Sequence, residues 1–463
     1  MRLSEILIEN DNFRFDSEYF KREYLIATYN NLRALPLFKL ATISDGDHSK
    51  FPDNQRREIR YLQARDISCN FLNVVSDSYV SNQYFLQNQR SLITSESILI
   101  SIMGNVGDIA ITPKNFTNCM SNRALAIVKN VSIILPQFLF TYLITKQCSI
   151  KIKRLSNGSV QQRLNLELLR NLSIPILSNN FQLKIESLVT TTHENLEQSK
   201  ALYSRAEHIL LKELDLLDFK PSTENIAIKH LSESFGTTGR LDAEYYQPKY
   251  EELENVISKY KLGSDFIGSM FKLSKQTFKI DRDKLYEYAE IGSINVSSGE
   301  ITPEIVLGVD LPANAKRKLK AGQVLVSKVR TYRSGIAIVD KDNYVGSGAF
   351  SILEEKANSK MNKETLFLFL RSKLFLDWSL KPNTGTSYPV ILDEDILNFN
   401  IPMIEVNIQN IIANKIQQSF ILRKKSKCLL EIAKQAVELA IEENEDIALN
   451  WINEQVKNIE NKL

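Results

Sequence analysis

The sequence predicts an α+β protein: two globular mixed α/β domains in pseudo-twofold repeat, separated by two long antiparallel coiled-coil-like helices. Three observations predict this: an internal duplication, short β-rich runs between Gly, Asn and Asp turns, and two long stretches with apolar helical periodicity. The duplication is clearest in Arg-Phe-Asp-Ser-Glu-Tyr at 14–19, which returns as Arg-Leu-Asp-Ala-Glu-Tyr at 240–245. A spacing of about 226 residues indicates a duplicated domain, because solenoid repeats recur every ~20 to 50 residues.

Two further segments recur in the same order. The stretch 99–111 returns at 325–338, each beginning with a Leu-Ile-Ser or Leu-Val-Ser triplet and ending in Ile-Ala-Ile. The Asn-Gly-Ser loop at 157–159, followed by Ile-Pro-Ile, returns as Thr-Gly-Thr at 384–386, followed by Ile-Pro-Met. Two similar but unequal modules suggest a protein that binds two related, non-identical targets.

A long helix is predicted at 180–217, which contains neither Pro nor Gly and would measure about 54 Å. On heptad spacing it carries Val189, Leu196, Tyr203, Leu210 and Leu217. A second run at 405–446 carries Ile416, Leu430 and Val437 on the same spacing, and Arg423 interrupts that seam. Two such helices can bury their seams against each other, which predicts an antiparallel pair.

These patterns divide the chain into seven segments. They are an N-terminal helical segment at 1–35, a mixed domain at 36–178, a long helix at 179–217, a linker with a repeat of the N-terminal segment at 218–260, a second mixed domain at 261–403, a second long helix at 404–446 and a tail at 447–463. We expect strands at 97–102 and 124–128 and shorter helices at 17–33, 138–151 and 243–260.

Composition excludes several classes of protein. The formal charge of +3, from 58 basic and 55 acidic residues, is too small to indicate nucleic-acid binding by itself. The four cysteines lie far apart, in neither a zinc-binding nor a disulfide pattern. Neither a signal-peptide core nor a run of about 18 apolar residues occurs, so we expect a cytoplasmic protein without a membrane partner.

Sequence signals of catalysis are missing. The chain has no phosphate-binding loop, no Gly-x-Gly-x-x-Gly, no His-Glu-x-x-His and no Gly-x-Ser-x-Gly motif. Only four histidines occur, and His193 and His208 fall on the predicted long helix. The sequence therefore predicts a chain that is not an enzyme and holds no metal or cofactor.

Basic residues cluster in loops of both modules. The first module offers Lys50, Arg56, Arg57, Arg60, Arg65, Lys153, Arg154, Gln161, Gln162 and Arg163. The second module offers Lys316, Lys318, Lys328, Arg330, Tyr332, Arg333 and Tyr388. Lysine and arginine neutralise phosphates, and Arg and Gln can also read base edges through paired hydrogen bonds. A solvated charged surface is the simpler explanation of any one cluster, but the recurrence in both modules favours DNA binding.

Several segments of the first module together resemble a known family. They are Ile-Ser-Asp-Gly-Asp-His at 43–48 with Pro52 after it, the run 59–67, the hairpin 101–111 and the stretch 155–177 ahead of the long helix. In this order they are similar to the specificity subunit of type I restriction–modification enzymes, whose target recognition domains open with Asp-Gly-x-His…Pro. The resemblance covers nearly the whole chain.

The second module departs from that pattern. It has no Asp-Gly-x-His near 273–283, and Tyr388-Pro389 stand where the first module has Gln-Arg after its glycine loop. Target recognition domains of this family vary because each reads its own sequence. The resemblance therefore implies the fold of the second module but assigns no DNA contact to particular residues.

The resemblance implies a role for every part of the chain. Each mixed domain would read one half of a split double-stranded DNA site from the major groove. The two helices would set the gap between the halves and dock two modification subunits, which bind S-adenosylmethionine and methylate adenine. Restriction subunits, which translocate DNA with ATP and Mg²⁺, would join that core, and this chain would itself carry no catalysis.

Three alternatives stay open from the residues alone. A similar reader serves type IIB-like systems, in which one subunit both methylates and cleaves. A metal-dependent nuclease could use acids near a lysine, such as Asp281 and Asp283 with Lys284, although a turn is the simpler explanation of these residues. The third alternative is a scaffold that binds proteins and no nucleic acid.

Overall fold

The computed structural model describes residues 32–49, 56–157, 162–224, 226–384 and 388–462. Most of the predicted N-terminal helical segment, including the helix expected at 17–33, lies outside these ranges. The chain forms two compact units: the first contains residues up to 197 together with 421–463, and the second contains 198–420. The domain limits predicted from the sequence stay predictions.

The elements follow one another as short strands and helices, with two much longer helices. The first part of the chain contains β1 (Ala34–Pro36), β2 (Thr42–Asp45), β3 (Ile59–Leu62), β4 (Ile67–Ser68), β5 (Phe71–Leu72), β6 (Tyr79–Val80), α1 (Asn82–Gln87), β7 (Leu92–Ile93), β8 (Ile98–Ser101), β9 (Ile109–Ile111), β10 (Cys119–Ser121), β11 (Leu125–Lys129), α2 (Pro136–Leu143), α3 (Lys146–Leu155), α4 (Leu166–Arg170), β12 (Ser173–Pro175) and α5 (Asn179–Glu213).

The remainder repeats that order. It contains α6 (Phe235–Thr238), α7 (Pro248–Ser258), β13 (Ser264–Phe266), α8 (Ile267–Met270), β14 (Phe271–Leu273), β15 (Leu285–Ala289), β16 (Glu304–Leu307), β17 (Ala315–Lys318), β18 (Val324–Ser327), β19 (Ile336–Ile338), β20 (Val345–Ser347), β21 (Phe350–Glu355), α9 (Lys363–Arg371), α10 (Lys373–Trp378), α11 (Asp393–Leu397), β22 (Asn400–Pro402), α12 (Val406–Glu442) and α13 (Glu445–Lys462).

In the first unit, two four-stranded sheets carry the fold. One has the strand order β2-β11-β8-β9, and the other has the order β6-β3-β10-β7 with β3 and β10 parallel. All four residues of β8 are buried, as expected for a central strand covered on both faces. Phe138, Phe140 and Tyr142 of α2 are fully buried in the core against these strands.

The second unit has the same topology. Its sheets have the orders β14-β21-β18-β19 and β16-β15-β20-β17, again with one parallel pair, β15 with β20. The short two-stranded pairs β1-β12 and β13-β22 also correspond. The α+β fold with two sheet-rich repeats, predicted from the sequence, is therefore confirmed.

The two predicted long helices are present as α5 and α12, and they pack against each other within each unit. In the first unit Ser426 Oγ donates to the Thr192 carbonyl oxygen at 2.8 Å. In the second unit Ser419 Oγ donates to the Ser199 carbonyl oxygen at 2.9 Å. Small hydroxyl residues let the two backbones approach closely and satisfy their own polar groups on the partner helix. The seam is more polar here than the heptad pattern indicated.

Several predicted helix limits differ in the structure. Helix α5 ends at Glu213, so Leu217 lies beyond it and is 44% exposed. The helix expected at 138–151 is divided into α2 and α3, because Thr145 caps α3 by accepting a hydrogen bond from the Cys148 amide at 3.2 Å. Arg423, expected to interrupt the seam, is only 9% exposed.

Candidate nucleic-acid interface

The Asp-Gly-x-His segment of the first unit is a tight turn at the end of β2. Gly46 donates to the Leu125 carbonyl oxygen at 3.0 Å, and the next residue, Asp47, donates to the Ser121 carbonyl oxygen at 2.7 Å. A Cβ atom on Gly46 would overlap the carbonyl oxygens of Ser121 and Asn122. Only glycine fits this position, because two backbone segments meet there without space for a side chain.

The two acids of this turn are bound within the unit. Asp45 pairs with Arg90 and with His48 Nε2 at 2.5 Å. Burial raises the pKa of Asp45, but the hydrogen bond from His48 and the charge of Arg90 outweigh burial and lower it below the usual value.

The second acid, Asp47, accepts hydrogen bonds from the Tyr61 hydroxyl at 3.1 Å and the Tyr84 hydroxyl at 2.7 Å. Burial and this carboxylate raise the pKa of Tyr61 well above its usual value, so Tyr61 donates as a neutral phenol. These bonds use the acids of the turn to fix β2 against β3 and α1.

Two of the predicted arginines meet on one aromatic ring, which we call the Tyr79 cluster (Arg57, Arg60, Tyr79). The Arg57 and Arg60 guanidinium carbons lie 4.8 and 4.9 Å from the centre of the Tyr79 ring. Arg60 also donates to the Tyr79 hydroxyl at 2.8 Å, and Arg57 pairs with Asp77. Ladder pairing of β3 with β6 places Arg60 opposite Tyr79. The cluster is a partly exposed, cationic and aromatic surface of the kind that binds nucleic acid.

An open groove of about 600 Å³ lies beside this cluster along α1. Its walls are Arg56, Glu58, Ser81, Asn82, Gln83, Leu86 and Gln87. The amide side chains of Asn82, Gln83 and Gln87 are exposed. Amides offer a donor and an acceptor together, which suits the edge of adenine. Neither these three amides nor Tyr79 was predicted from the sequence, although the amide-rich run 82–89 is a signal that could have indicated α1.

The glycine loop of the first unit closes on a backbone pair. Asn157 and Arg163 exchange hydrogen bonds of 2.8 and 2.7 Å, and Leu164 donates to the Ile102 carbonyl oxygen at 3.0 Å. The exposed Gln162 and Arg163 are thereby held beside the loop that joins β8 to β9. Lys50 and Gln161 lie outside the described residues.

The corresponding hairpin base of the second unit is joined to a cationic loop. Thr384 and Val390 exchange backbone hydrogen bonds of 3.1 and 3.2 Å. The Arg330 amide donates to the Pro389 carbonyl oxygen at 2.9 Å, and its guanidinium carbon lies 5.3 Å from the centre of the Tyr388 ring. We call this group the unit 2 hairpin surface (Lys328, Arg330, Tyr332, Arg333, Tyr388).

Two residues of the loop between β18 and β19 have left-handed backbones. Arg330 has φ of 50° and Ser334 has φ of 63°. Strand register makes them equivalent to Gly104 and Gly107 of the first unit, which have φ of 82° and 94°. A residue with a Cβ atom is strained in this region, so a conformation that glycine takes freely costs energy at Arg330.

The other members of the unit 2 hairpin surface differ in exposure. Tyr388 is 59% exposed, Arg333 is exposed, and Tyr332 is half-buried with the Arg333 guanidinium carbon 5.8 Å from its ring centre. Lys328 is partly neutralised, because its Nζ lies 3.5 Å from Asp393 Oδ1. Arg330, Arg333 and Tyr388 are therefore the side chains of this surface best placed to contact a ligand.

The remaining candidates lie on other elements. Arg65 is exposed in a 3-10 turn at Ala64–Asp66, and Lys153 is exposed in the last turn of α3, beside the half-buried Arg154. Lys316 and Lys318 are exposed on the edge strand β17, whose ladder partner is β20. The contacts of the described residues do not join Arg65, Lys316 or Lys318 to the Tyr79 cluster or to the unit 2 hairpin surface.

The residues suggested for metal-dependent cleavage form a turn. The Asp283 amide donates to Asp281 Oδ1 at 3.2 Å in the exposed segment that precedes β15. Among the described residues, no group of three or more His, Cys, Asp or Glu could hold a metal ion. Burial raises the pKa of the Cys119 and Cys148 thiols to about 12, so neither is a nucleophile at neutral pH. No helix in the described part of the chain has the length and apolar character needed to cross a membrane.

Comparison with known proteins agrees with the resemblance seen in the sequence. The family model of the type I restriction modification DNA specificity domain matches residues 50–203. The chain is 26% identical over 107 residues to the type I restriction enzyme EcoDI specificity subunit of Escherichia coli, which is 23% of each chain. It is 33% identical over 99 residues to the HindI specificity subunit of Haemophilus influenzae, which is 20% of this chain and 21% of the relative. These alignments span less than a quarter of the curated relatives.

Two solved structures are similar over most of the chain. The type I restriction-modification S subunit from M. genitalium is 15% identical with a TM-score of 0.41, and the match covers 92% of this chain and 98% of that one. The HsdS subunit from Thermoanaerobacter tengcongensis is 14% identical with a TM-score of 0.30, covering 92% of this chain and 100% of that one. Residues 50–203 are thus similar to the type I restriction modification DNA specificity domain, and the similarity of the rest of the chain rests on the solved structures.

Proposed function

We propose that this chain is the non-catalytic DNA-reading subunit of a type I restriction–modification complex, and that each unit reads one half of a split site. The observation that carries the proposal is the contrast between a duplicated ladder and differing loops. Equivalent positions hold Gly104 in one unit and Arg330 in the other, and likewise Arg163 and Val390. Two readers of different sequences need a common scaffold with different side chains at its recognition loops.

The chemistry of each unit supports DNA as the ligand. In the first unit, the Tyr79 cluster supplies cations for phosphates, and the amides along α1 supply donors and acceptors for base edges. In the second unit, Arg330 and Tyr388 supply a cation and an aromatic ring in direct contact. Arginine on a defined backbone can make a paired contact with guanine, for which its planar guanidinium is well suited.

An apolar linker in the second unit supports a protein partner. Between the long helix α5 and helix α7, five large side chains are 53–94% exposed: Ile226, Ile228, Leu231, Phe235 and Leu241. Large exposed apolar side chains in one short segment are typical of surfaces that a partner covers. We propose that the partners are two modification subunits, which would bind S-adenosylmethionine, joined by restriction subunits that use ATP and Mg²⁺.

The decisive experiment is to map methylated adenines in the source genome with and without this gene. The proposal expects one split motif that loses methylation when the gene is deleted and regains it when the gene is restored. An unchanged methylation pattern would contradict it. A turnover assay of the purified chain with Mg²⁺ and duplex DNA tests the nuclease alternative, for which cleavage without partners is the expected result.

A binding assay on the assembled complex tests the assignment of residues. Arg163→Ala and Arg330→Ala should each weaken binding to the mapped site across a salt series, while binding to random duplex falls less. Each substitution should relax selectivity in a different half of the site. If both variants keep full affinity and selectivity, these two arginines do not read DNA.

A further inference from the structure

The repeated Arg-x-Asp-x-Glu-Tyr motif has no part in the proposed reading of DNA. In the second unit it lies at 240–245, between α6 and α7. The Arg240 guanidinium makes a bidentate contact with the Asp242 carboxylate: Nε donates to Oδ1 at 2.7 Å and Nη2 donates to Oδ2 at 2.5 Å. A paired contact of this kind fixes the plane of the guanidinium as well as its position.

The same guanidinium is also bound to the segment that enters the hairpin. Its Nη1 donates to the Pro382 carbonyl oxygen at 3.0 Å, and its Nη2 donates to the Asn383 carbonyl oxygen at 3.1 Å. The next residue is Thr384, whose backbone closes the hairpin base with Val390. Arg240 therefore joins the motif directly to the residues that precede the recognition surface.

Aromatic stacking makes the joint more rigid. The Arg240 guanidinium carbon lies 4.5 Å from the centre of the Tyr245 ring, and Lys381 Nζ lies 5.0 Å from the same ring. Lys381 Nζ also donates to Glu254 Oε1 of α7 at 2.5 Å. The two cations on one ring and the bond to Glu254 therefore hold residues 381–383 against the motif and helix α7.

The contacts continue to the recognition side chains. Val390 is followed by Ile391, which donates to the Lys328 carbonyl oxygen at 2.9 Å, and Pro389 accepts from the Arg330 amide. The strained Arg330 and the exposed Tyr388 are thus held on a base whose entering segment is fixed by Arg240. A recognition group that must match a base edge within about 0.5 Å requires such support.

We propose that Arg240, oriented by Asp242, is a positioning residue that sets the Arg330–Tyr388 pair in register for base reading by the second unit. This inference rests on the proposed function. Arg240 does not itself touch DNA. Its loss should reduce discrimination between sequences more than it reduces the sequence-independent attraction to phosphates, since register affects base contacts most.

The test uses the full chain assembled with its modification subunits. Arg240→Ala, Arg240→Lys and Asp242→Asn are compared with Lys272→Ala, which breaks an exposed ion pair of similar chemistry, Lys272 with Glu354 at 3.1 Å. Affinity is measured for the mapped site, for duplexes altered in either half, and for random duplex. The half read by the second unit is the one whose selectivity changes in Arg330→Ala.

Arg240→Ala should lower affinity for the mapped site by about tenfold, and affinity for a duplex already altered in the second unit's half by less than about twofold. Asp242→Asn and Arg240→Lys should lie between this variant and the wild type, because each keeps some of the bonds. Lys272→Ala should match the wild type.

Hydrogen exchange gives a readout that needs no DNA. In Arg240→Ala the amides of Val390 and Ile391 should exchange faster, while ladder amides of β18 and β21 stay protected. Faster exchange across the whole unit, or an equal loss of affinity for every duplex, would show a merely structural role and overturn the inference. If the wild-type complex reads DNA and Arg240→Ala still discriminates fully between altered and unaltered duplexes, the positioning role is wrong.

The proposed function fails separately, if the wild-type complex shows no sequence preference. In that case the exchange experiment still tests the positioning role, and an unchanged exchange rate at Val390 in Arg240→Ala would refute it.

Discussion

The loop that joins β8 to β9 in the first unit and its counterpart between β18 and β19 in the second start and end at equivalent ladder positions, yet they differ in chemistry. The first loop turns on Gly104 and Gly107, which accept a left-handed backbone without strain. The second turns on Arg330 and Ser334 at the same places. The ladder is therefore a common scaffold, and the loops are where the two units have diverged.

The difference also concerns the conformational strain of the backbone. A left-handed conformation costs a residue with a Cβ atom roughly 1–2 kcal/mol relative to glycine. Glycine, which stands at the equivalent position of the first unit, would make the fold more stable there. Stability alone therefore does not explain an arginine at position 330. Strained residues of this kind cluster at functional sites, which supports Arg330 as a recognition residue.

The largest expected effect is a loss of folded stability in the first unit but not in the second. Gly46→Ala should destabilise the first unit by about 3 kcal/mol, because the new Cβ atom overlaps backbone oxygens. The equivalent change in the second unit, Gln276→Ala, should alter stability by less than about 0.5 kcal/mol, because Gln276 is exposed. Hydrogen exchange of the two ladders measures both effects in one sample. A loss of stability in Gly46→Ala as small as that in Gln276→Ala would show that the backbone approach at Gly46 does not require glycine.

A second substitution separates strain from recognition. Arg330→Gly should weaken DNA binding about tenfold, because the variant loses the positive charge of the guanidinium and its cation–π contact with Tyr388. Its folded stability should exceed that of Arg330→Ala by about 1 kcal/mol, because only glycine relieves the left-handed strain. Urea unfolding and a binding titration provide the two numbers. If Arg330→Ala is as stable as Arg330→Gly, the left-handed backbone at this position carries no strain.

Much of the scaffold could be predicted from the sequence, because duplication and hydrophobic periodicity are local signals. The paired long helices, the strands at β8 and β11 and the glycine-loop repeat were all visible in this way. The division between α2 and α3 was missed, because the capping role of Thr145 depends on one side-chain bond. The polar helix seam was missed too: Thr192 and Ser199 lie seven residues apart, but a heptad seam is recognised from its apolar residues.

The candidate site was predictable only in part. Charge clusters in the sequence pointed to Arg57 and Arg60, but Tyr79 joins them through the pairing of β3 with β6, about 20 residues further along the chain. Arg65 is close to Arg60 in sequence, but it lies in the 3-10 turn that follows β3 and not on the strand. Which cations share a surface depends on strand pairing, and local sequence patterns do not reveal which strands pair.

A smaller effect is expected on the aromatic surface of the first unit. Tyr79→Leu removes the ring that holds Arg57 and Arg60, so affinity for the first unit's half should fall about fivefold. Tyr79→Phe keeps the ring and loses only the hydroxyl that accepts from Arg60, so it should retain most of the affinity. Binding titrations on duplexes altered in either half measure the loss. A fall in the other half instead would place the cluster outside the first unit's reading surface.

The smallest effect concerns acid sensitivity at one position where the two units differ. The folded-state pKa of Asp45 is below its usual value of 3.8, since His48 and Arg90 outweigh the opposing effect of burial. A carboxylate with a lowered pKa stabilises the fold above its unfolded pKa, and that contribution disappears as the pH falls through the folded pKa. The equivalent position in the second unit is Lys275, which offers no such carboxylate. The stabilising contribution of Asp45 to the first unit should therefore disappear as the pH falls below about 4, which Lys275 cannot match in the second unit, and Asp45→Asn should remove this part of the acid sensitivity. Hydrogen exchange or urea unfolding along a pH series measures it, and an Asp45→Asn variant that keeps the full acid sensitivity would assign the effect to another group.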